Sequence, residues 1–284
     1  MKRVSTAADN NKLTEKESIM LTLAEKLSLD YSLVRALKKL NDTSADKIRR
    51  LAEKCSGGDF SSLKKQSDLM RLAVILCCAV KVHERYKEKG ISDEIYYHTM
   101  SDIKIWCENN GNKGLKQYGW LKNHVSFNLF RLGRLQFQLY ECKNKTLLYH
   151  KLPFSYGENL IYIHIPQGEK LEKEKCTDSI NMAQEFFREY FPDYTYNYYF
   201  CESWLLYEGN RDFMHKDSNI LSFMSLFDIR YSVKYPEQAI ERIFGKRQLF
   251  KKNYPENTDL QKRAKQFMMG GGRLGVGVGI IRNS

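Results

Sequence analysis

Most of the patterns that would fix a function at once are missing from these 284 residues. No apolar run approaches the roughly 20 residues that a membrane-spanning helix requires. The densest, Leu72 to Val80, stops at Lys81. The polar start, Met1-Lys-Arg and then Ser, Thr, Asp and Asn, lacks the apolar segment of a secretory signal. The seven cysteines form no Cys-x-x-Cys pair, so neither a disulfide framework nor a zinc knuckle is expected, and no metal site. Reduced thiols make the cytoplasm the default compartment. There is no Gly-x-Ser-x-Gly elbow, no Walker loop, no dinucleotide fingerprint, no zinc-finger spacing and no aromatic ribonucleoprotein signature. Internal repeats and low-complexity blocks are absent too. A membrane protein and a sequence-specific nucleic-acid reader are therefore not expected.

What is there is enough to fold. Hydrophobic residues make up 42% and charged residues 28%, ordinary values for a chain long enough to bury a sizeable core. The net charge of +12 is spread: residues 1–122 carry 23 basic and 16 acidic side chains, residues 123–284 carry 23 and 18. A diffuse positive balance suits polyanions and phosphate-bearing cofactors, but it equally suits a soluble basic protein.

The first 110 or so residues read as helices. Thr14-x-x-Glu17 is a capping box opening a helix to about Leu27. Asp30 caps a second helix with Leu33, Val34, Leu37 and Leu40 on one stripe, and Thr43 starts a third that ends near Gly57-Gly58. A long helix runs from Ser67/Asp68 to Gly90, and a fifth from Ser92 to Asn109-Asn110-Gly111. A helix is expected from Trp120 to about Leu132, stopped by Gly133.

Beyond it the pattern changes. Arg134 to Tyr140 alternates, with Leu135, Phe137 and Leu139 inward and Gln136, Gln138 and Tyr140 outward. Thr146 to His150 reads as a second strand of a hairpin, and Asn159 to Ile165 as a third strand before Pro166. A helix opens at Thr177 and ends before Pro192. The longest strand-like run, Tyr196 to Leu206, follows it. Asp217/Ser218, Pro236 and Thr258 open further helices, with a strand over Ile229, Tyr231 and Val233. In the terminal run, Gly275, Gly277 and Gly279 share one face, a bare edge that permits close approach of another element or a ligand.

The central run carries the chemistry-bearing residues. Strand side chains alternate, so Tyr196, Tyr198, Phe200, Glu202 and Trp204 share one face and Tyr199, Cys201 and Ser203 the other. A carboxylate, a thiol and a hydroxyl at successive positions of a buried strand are costly unless partnered. Either they close a core network or they are the chemistry. His164, sharing a face with Leu160 and Tyr162 at a strand end, is a proton acceptor near neutral pH or a satisfied core histidine. Glu202 reads as a general base among aromatic neighbours. Cys201 with His164 reads as a nucleophile pair, the mark of a thioester hydrolase.

The ordered set Ile163-His164-Ile165-Pro166, Glu185-Phe-Phe187 before Tyr190-Phe-Pro192, Cys201-Glu-Ser-Trp-Leu-Leu206, Asp217-Ser-Asn-Ile220 and Leu260-Gln261 running into Gly270-Gly-Gly resembles the bacterial acyltransferase-domain proteins. It covers residues 120–284 in motif and the first 120 in helical character. The resemblance implies an α+β chain: an all-helical N-terminal domain over 1–118 and a GNAT-like mixed α/β domain over 119–284. It further implies acyl-CoA as co-substrate and transfer to the amine of a small molecule or peptide. Glu202 or His164 would be the base, and Tyr198, Tyr199 or Cys201 the acid. Ser203, Trp204, Ser218 and Asn219 would contact the cofactor. The Arg/Gln-x-x-Gly-x-Gly/Ala cradle usual in such enzymes is absent, which leaves the helix opening at Ser218-Asn219 as the expected phosphate site. The alternative is a non-catalytic scaffold that keeps this fold and binds a partner through the helical domain.

Overall fold

The computed structural model describes residues 19–143 and 152–283. The expected capping box at Thr14 and the second hairpin strand at 146–150 lie outside the described residues. The chain divides into two compact units at Leu132/Gly133. It is α+β, as the resemblance implied: a helical first region, then a mixed sheet with helices.

In the first unit, α1 (residues 19–26) is followed by α2 (Tyr31–Ser56), α3 (Asp68–Glu88), α4 (Asp93–Met100), α5 (Asp102–Glu108) and α6 (Lys122–Val125), then β1 (Leu129–Leu132). Side-chain caps start three of these helices. Asp30 accepts from the Ser32 N–H at 2.8 Å, Ser67 from Met70 at 3.2 Å and Ser92 from Ile95 at 3.4 Å. The α2 stripe of Leu33, Leu37 and Ile48 and the α3 residues Leu72, Ala73 and Leu76 are buried in the core.

Three expectations fail here. The second and third helices are one, bent at Ser44 (φ −139°), because Thr43 turns its hydroxyl back to the carbonyls of Lys39 and Leu40 instead of starting a new helix. The fifth helix is two, parted at Ser101, whose hydroxyl bonds to the His98 carbonyl at 2.7 Å. The helix expected over 120–132 is only one turn, α6. Phe127 sits at φ 59°, a left-handed step that stops it, and after Asn128 the residues Leu129–Leu132 are a strand buried on both faces. Apolar residues on every side of Leu129–Leu132 matched a helical stripe only because that spacing also fits a fully buried strand.

The second unit contains β2 (Leu135–Glu141), β3 (Asn159–His164), α7 (Lys173–Tyr190), β4 (Tyr198–Ser203), α8 (Asn219–Met224), β5 (Asp228–Val233), α9 (Glu237–Phe244), α10 (Asp259–Met269) and β6 (Val276–Arg282). Its strands lie in the order β2-β3-β4-β6-β5. Only β3 and β4 are parallel; the other neighbours are antiparallel. The helix expected from Thr177 starts four residues earlier, and the Thr177 hydroxyl bonds to the Lys173 carbonyl at 3.0 Å. Gln136, expected to face outward, is fully buried.

The central strand is shorter than its sequence suggests. It begins at Tyr198 and ends at Ser203, where Trp204–Leu206 coil into a 3₁₀ turn. Side chains take over the backbone groups that a longer ladder would have used. Ser203 Oγ accepts from Leu205 N–H at 3.2 Å, Trp204 N–H donates to Gln238 at 2.7 Å, and Asn210 donates to the Trp204 carbonyl at 2.8 Å. The glycine face of β6 lets this turn approach. A Cβ on Gly277 would stand 1.9 Å from the Leu206 carbonyl oxygen, and one on Gly275 2.2 Å from that of Val233.

Candidate active site

Register decides which side chains meet. β2 pairs Gln136 with His164 and Gln138 with Tyr162, β3 pairs Tyr162 with Phe200, and β4 pairs Glu202 with Val278 and Phe200 with Ile280. Directly paired residues project to the same side of a sheet. Gln138, Tyr162, His164, Tyr198, Phe200 and Glu202 therefore share one face. Tyr199, Cys201 and Ser203 lie on the other, with the β6 glycines.

The parallel ladder between β3 and β4 is short. Its pairs are Ile161 with Tyr199 and Tyr162 with Phe200, whereas β2/β3 and β4/β6 each carry six. Beyond Phe200 the two strands run on without pairing, β3 to His164 and β4 to Ser203. The same register carried two residues further sets His164 on one lip of this gap and Glu202 on the other.

Glu202 is half-buried, and among the described residues no cation or hydrogen-bond donor meets its carboxylate. Burial alone pushes its pKa above the ordinary carboxylate value of 4.5. Across the gap, His164 Nε2 donates to Gln138 Oε1 at 2.8 Å. The imidazole lies 4.0 Å from the Tyr162 ring, centroid to centroid. Tyr162 directs its hydroxyl toward the Glu202 carbonyl at 3.5 Å, and burial holds that phenol well above its usual range. Below these groups lies an aromatic and aliphatic floor of Phe154, Leu160, Phe200, Val278 and Ile280, rimmed by the half-buried Tyr140, Tyr198 and Tyr231.

The other face is sealed. Cys201 is completely buried, and its thiol is pushed far up by burial and, secondarily, by the Glu202 charge. A thiol so held is no nucleophile at neutral pH. It also lies on the opposite side of the sheet from His164, so the structure does not bring that pair together. Tyr199 is fully buried and shares a hydrogen bond with the Tyr196 hydroxyl at 2.8 Å. Ser203 and Trp204 are buried and occupied in closing the 3₁₀ turn. Ser218 caps α8, a helix of six residues, by accepting from Leu221 N–H at 3.3 Å, and Asn219 is its first residue.

Two contributors escaped the sequence reading of the site. Tyr162 was placed on the His164 face but given no role there. Arg134, 5% exposed, donates to the carbonyls of Pro166, Glu169 and Lys170 at 2.8–3.0 Å and so holds the loop from β3 to α7. The one available signal was a cation directly after the Gly133 turn, at the head of an apolar strand. That loop delivers α7 with its first turn uncapped by any side chain, flanked by Lys170, Lys173 and Lys175. Lys175 pairs with Glu172 at 2.8 Å.

Comparison with known proteins agrees with this architecture. Residues 129–281 match the family model of the GNAT-like C-terminal domain, and residues 20–127 match that of the N-acyltransferase N-terminal domain. Among solved structures, an acyltransferase mutant in complex with octanoyl-CoA superposes with a TM-score of 0.74 at 19% identity, covering 98% of this chain and 95% of that one. An acyltransferase in complex with decanoyl-CoA gives 0.72 at 18%, covering 98% and 89%. An acyltransferase in complex with decanoyl-CoA and teicoplanin gives 0.69 at 20%, covering 99% and 90%. No curated protein matches the chain.

Proposed function

The chain belongs to the family defined by the GNAT-like C-terminal domain, and we propose that it transfers an acyl group from an acyl-coenzyme A thioester to an amine, with Glu202 as general base. One observation carries this reading: a half-buried carboxylate without a partner among the described residues, raised in pKa by burial, on one lip of a parted strand pair with His164 on the other. An unpaired carboxylate in such a place costs stability, and a catalytic role is the common reason to keep one.

The residues present fit the co-substrate. The backbone edges that part beyond Phe200 suit an extended, amide-bearing chain such as pantetheine. The uncapped start of the eighteen-residue α7 and its lysines suit phosphate, a better-provided site than the short helix at Ser218-Asn219. The aromatic floor suits an apolar acyl chain, and relatives of the same fold hold octanoyl- and decanoyl-CoA.

When bound, acyl-CoA supplies an activated thioester. The Glu202 carboxylate takes a proton from the acceptor amine, directly or through one water, so that the nitrogen lone pair can attack the acyl carbon. His164, fixed by Gln138, holds the amine or that water from the opposite lip. The carbon–sulfur bond breaks, and a phenol on the same face, Tyr162 or Tyr198, returns a proton to the sulfur. Teicoplanin bound to one neighbour suggests an acceptor of small-molecule or peptide-like size.

Thermal unfolding with acetyl-, octanoyl- and decanoyl-CoA tests the reading. A ligand at about 100 times its dissociation constant adds roughly 2.7 kcal/mol, a rise of several degrees. The expected order is decanoyl above octanoyl above acetyl, since each buried CH₂ contributes about 0.8 kcal/mol. No shift with any of them at saturating concentration overturns the proposal.

A further inference from the structure

A cavity of about 760 Å³ opens at the end of the same sheet that lies away from His164 and Glu202. Its walls are the residues just before β3 and β4, the last turns of α7, and Asn283 beyond β6. Along β3, five residue steps of about 3.3 Å each separate Asn159 from His164, so the cavity stands about 16 Å from the reacting groups. Its volume lies in the range that takes drug-sized ligands.

The lining has a definite chemistry. The carboxamides of Asn159, Asn197 and Asn283 each present a donor and an acceptor together. Two are anchored: Asn197 Nδ2 donates to Glu158 Oε1 at 3.4 Å, and Asn283 Nδ2 to the Tyr196 carbonyl at 3.3 Å. The tyrosines of the wall turn their hydroxyls into the protein. Tyr194 donates to the Tyr140 and Leu160 carbonyls at 3.0 and 3.1 Å, and Tyr196 is bonded to Tyr199. What they leave to the cavity, with Phe191, is ring surface.

Charge narrows the ligand further. In a chain of net charge +12 the described residues lining the cavity include one cation, Arg188, offset by one carboxylate, Glu158. A polyanion site would gather several cations. Paired donor–acceptor groups beside aromatic carbon match a ligand with vicinal hydroxyls on one side and C–H surface on the other. We propose that this cavity binds a neutral saccharide, its hydroxyls on the carboxamides and its ring against Tyr194, Tyr196 and Phe191.

Calorimetric titration of the full chain with glucose, N-acetylglucosamine and cellobiose, and with inorganic phosphate and coenzyme A as charged comparators, tests this. At least one saccharide is expected to bind at roughly millimolar strength or better, and Asn197→Ala or Asn159→Ala to weaken it about tenfold, the worth of one hydrogen bond. Melting temperature should not change in Asn197→Ala, whose side chain is exposed. Glu202→Gln should leave saccharide binding unaltered, because it lies at the other end of the sheet. Three results would each overturn the proposal. One is no saccharide binding at about 50 mM, well above the expected millimolar constant. Another is saccharide binding indifferent to both asparagine variants. The last is phosphate binding that Arg188→Ala removes, which would make the cavity an anion site.

Discussion

The two faces of β4 are built from consecutive residues, yet they differ in almost every physical respect. Tyr199, Cys201 and Ser203 point into a sealed layer where the β6 glycines admit Leu206 to within van der Waals contact. The hydroxyls on that side are spent on structure, as the Tyr199–Tyr196 and Ser203–Leu205 bonds show. Tyr198, Phe200 and Glu202 look onto a half-open floor, with one carboxylate left unmatched. Burial acts on both faces but with different results. It makes the Cys201 thiol inert, whereas it makes the Glu202 carboxylate more basic. A strand thus separates frame from the proposed chemistry by parity alone.

The largest effect should come from the sealed side. Gly277→Ala places a methyl group against main chain at 1.9 Å, where no side-chain rotamer can relieve it, and should cost about 4 kcal/mol or more. A urea melt that differs little from the parent would show that the two faces are not packed so differently. On the open side, Glu202→Gln should cut turnover by about 10²- to 10⁴-fold while the fold survives.

The pH dependence should separate the faces further. Because the Glu202 pKa is raised, the acid limb of kcat/KM should lie above pH 4.5 and disappear in Glu202→Gln. The sign for stability runs the other way from a paired carboxylate. The folded state holds the proton more tightly than the unfolded chain, so this group favours folding at low pH and disfavours it as pH rises through the raised value. Glu202→Gln should therefore melt higher than the parent at pH 8, with the difference gone at pH 4. Smallest of all, Cys201→Ala should cost about 1 kcal/mol and leave turnover within about threefold, since that thiol only fills space.

Much of this was legible in the residues. The alternation of 198–203 by itself separates Cys201 from Glu202, and Gly275, Gly277 and Gly279 announce a close approach that the Leu206 carbonyl makes. Caps at Asp30, Ser67, Ser92 and Thr258 bond as their residue types suggest. What was hidden depended on contacts between distant segments. That His164 and Glu202 share a face follows from the parallel pairing of Tyr162 with Phe200, which are distant in sequence, and no local pattern encodes it. The end of β4 at Ser203 is imposed by Gln238 and Asn210, which reach the Trp204 backbone from other elements. The strand at Leu129–Leu132 was read as helix because burial on all sides removes the periodicity that distinguishes the two.

The most direct measurement is release of free thiol from decanoyl-CoA in the presence of an amine panel, run in parallel on the parent, Glu202→Gln and Cys201→Ala. Loss of amine-dependent release by at least about 10²-fold in Glu202→Gln, with Cys201→Ala close to the parent, is the expected result. Release that survives Glu202→Gln and fails in Cys201→Ala would contradict the assignment of the chemistry to the open face.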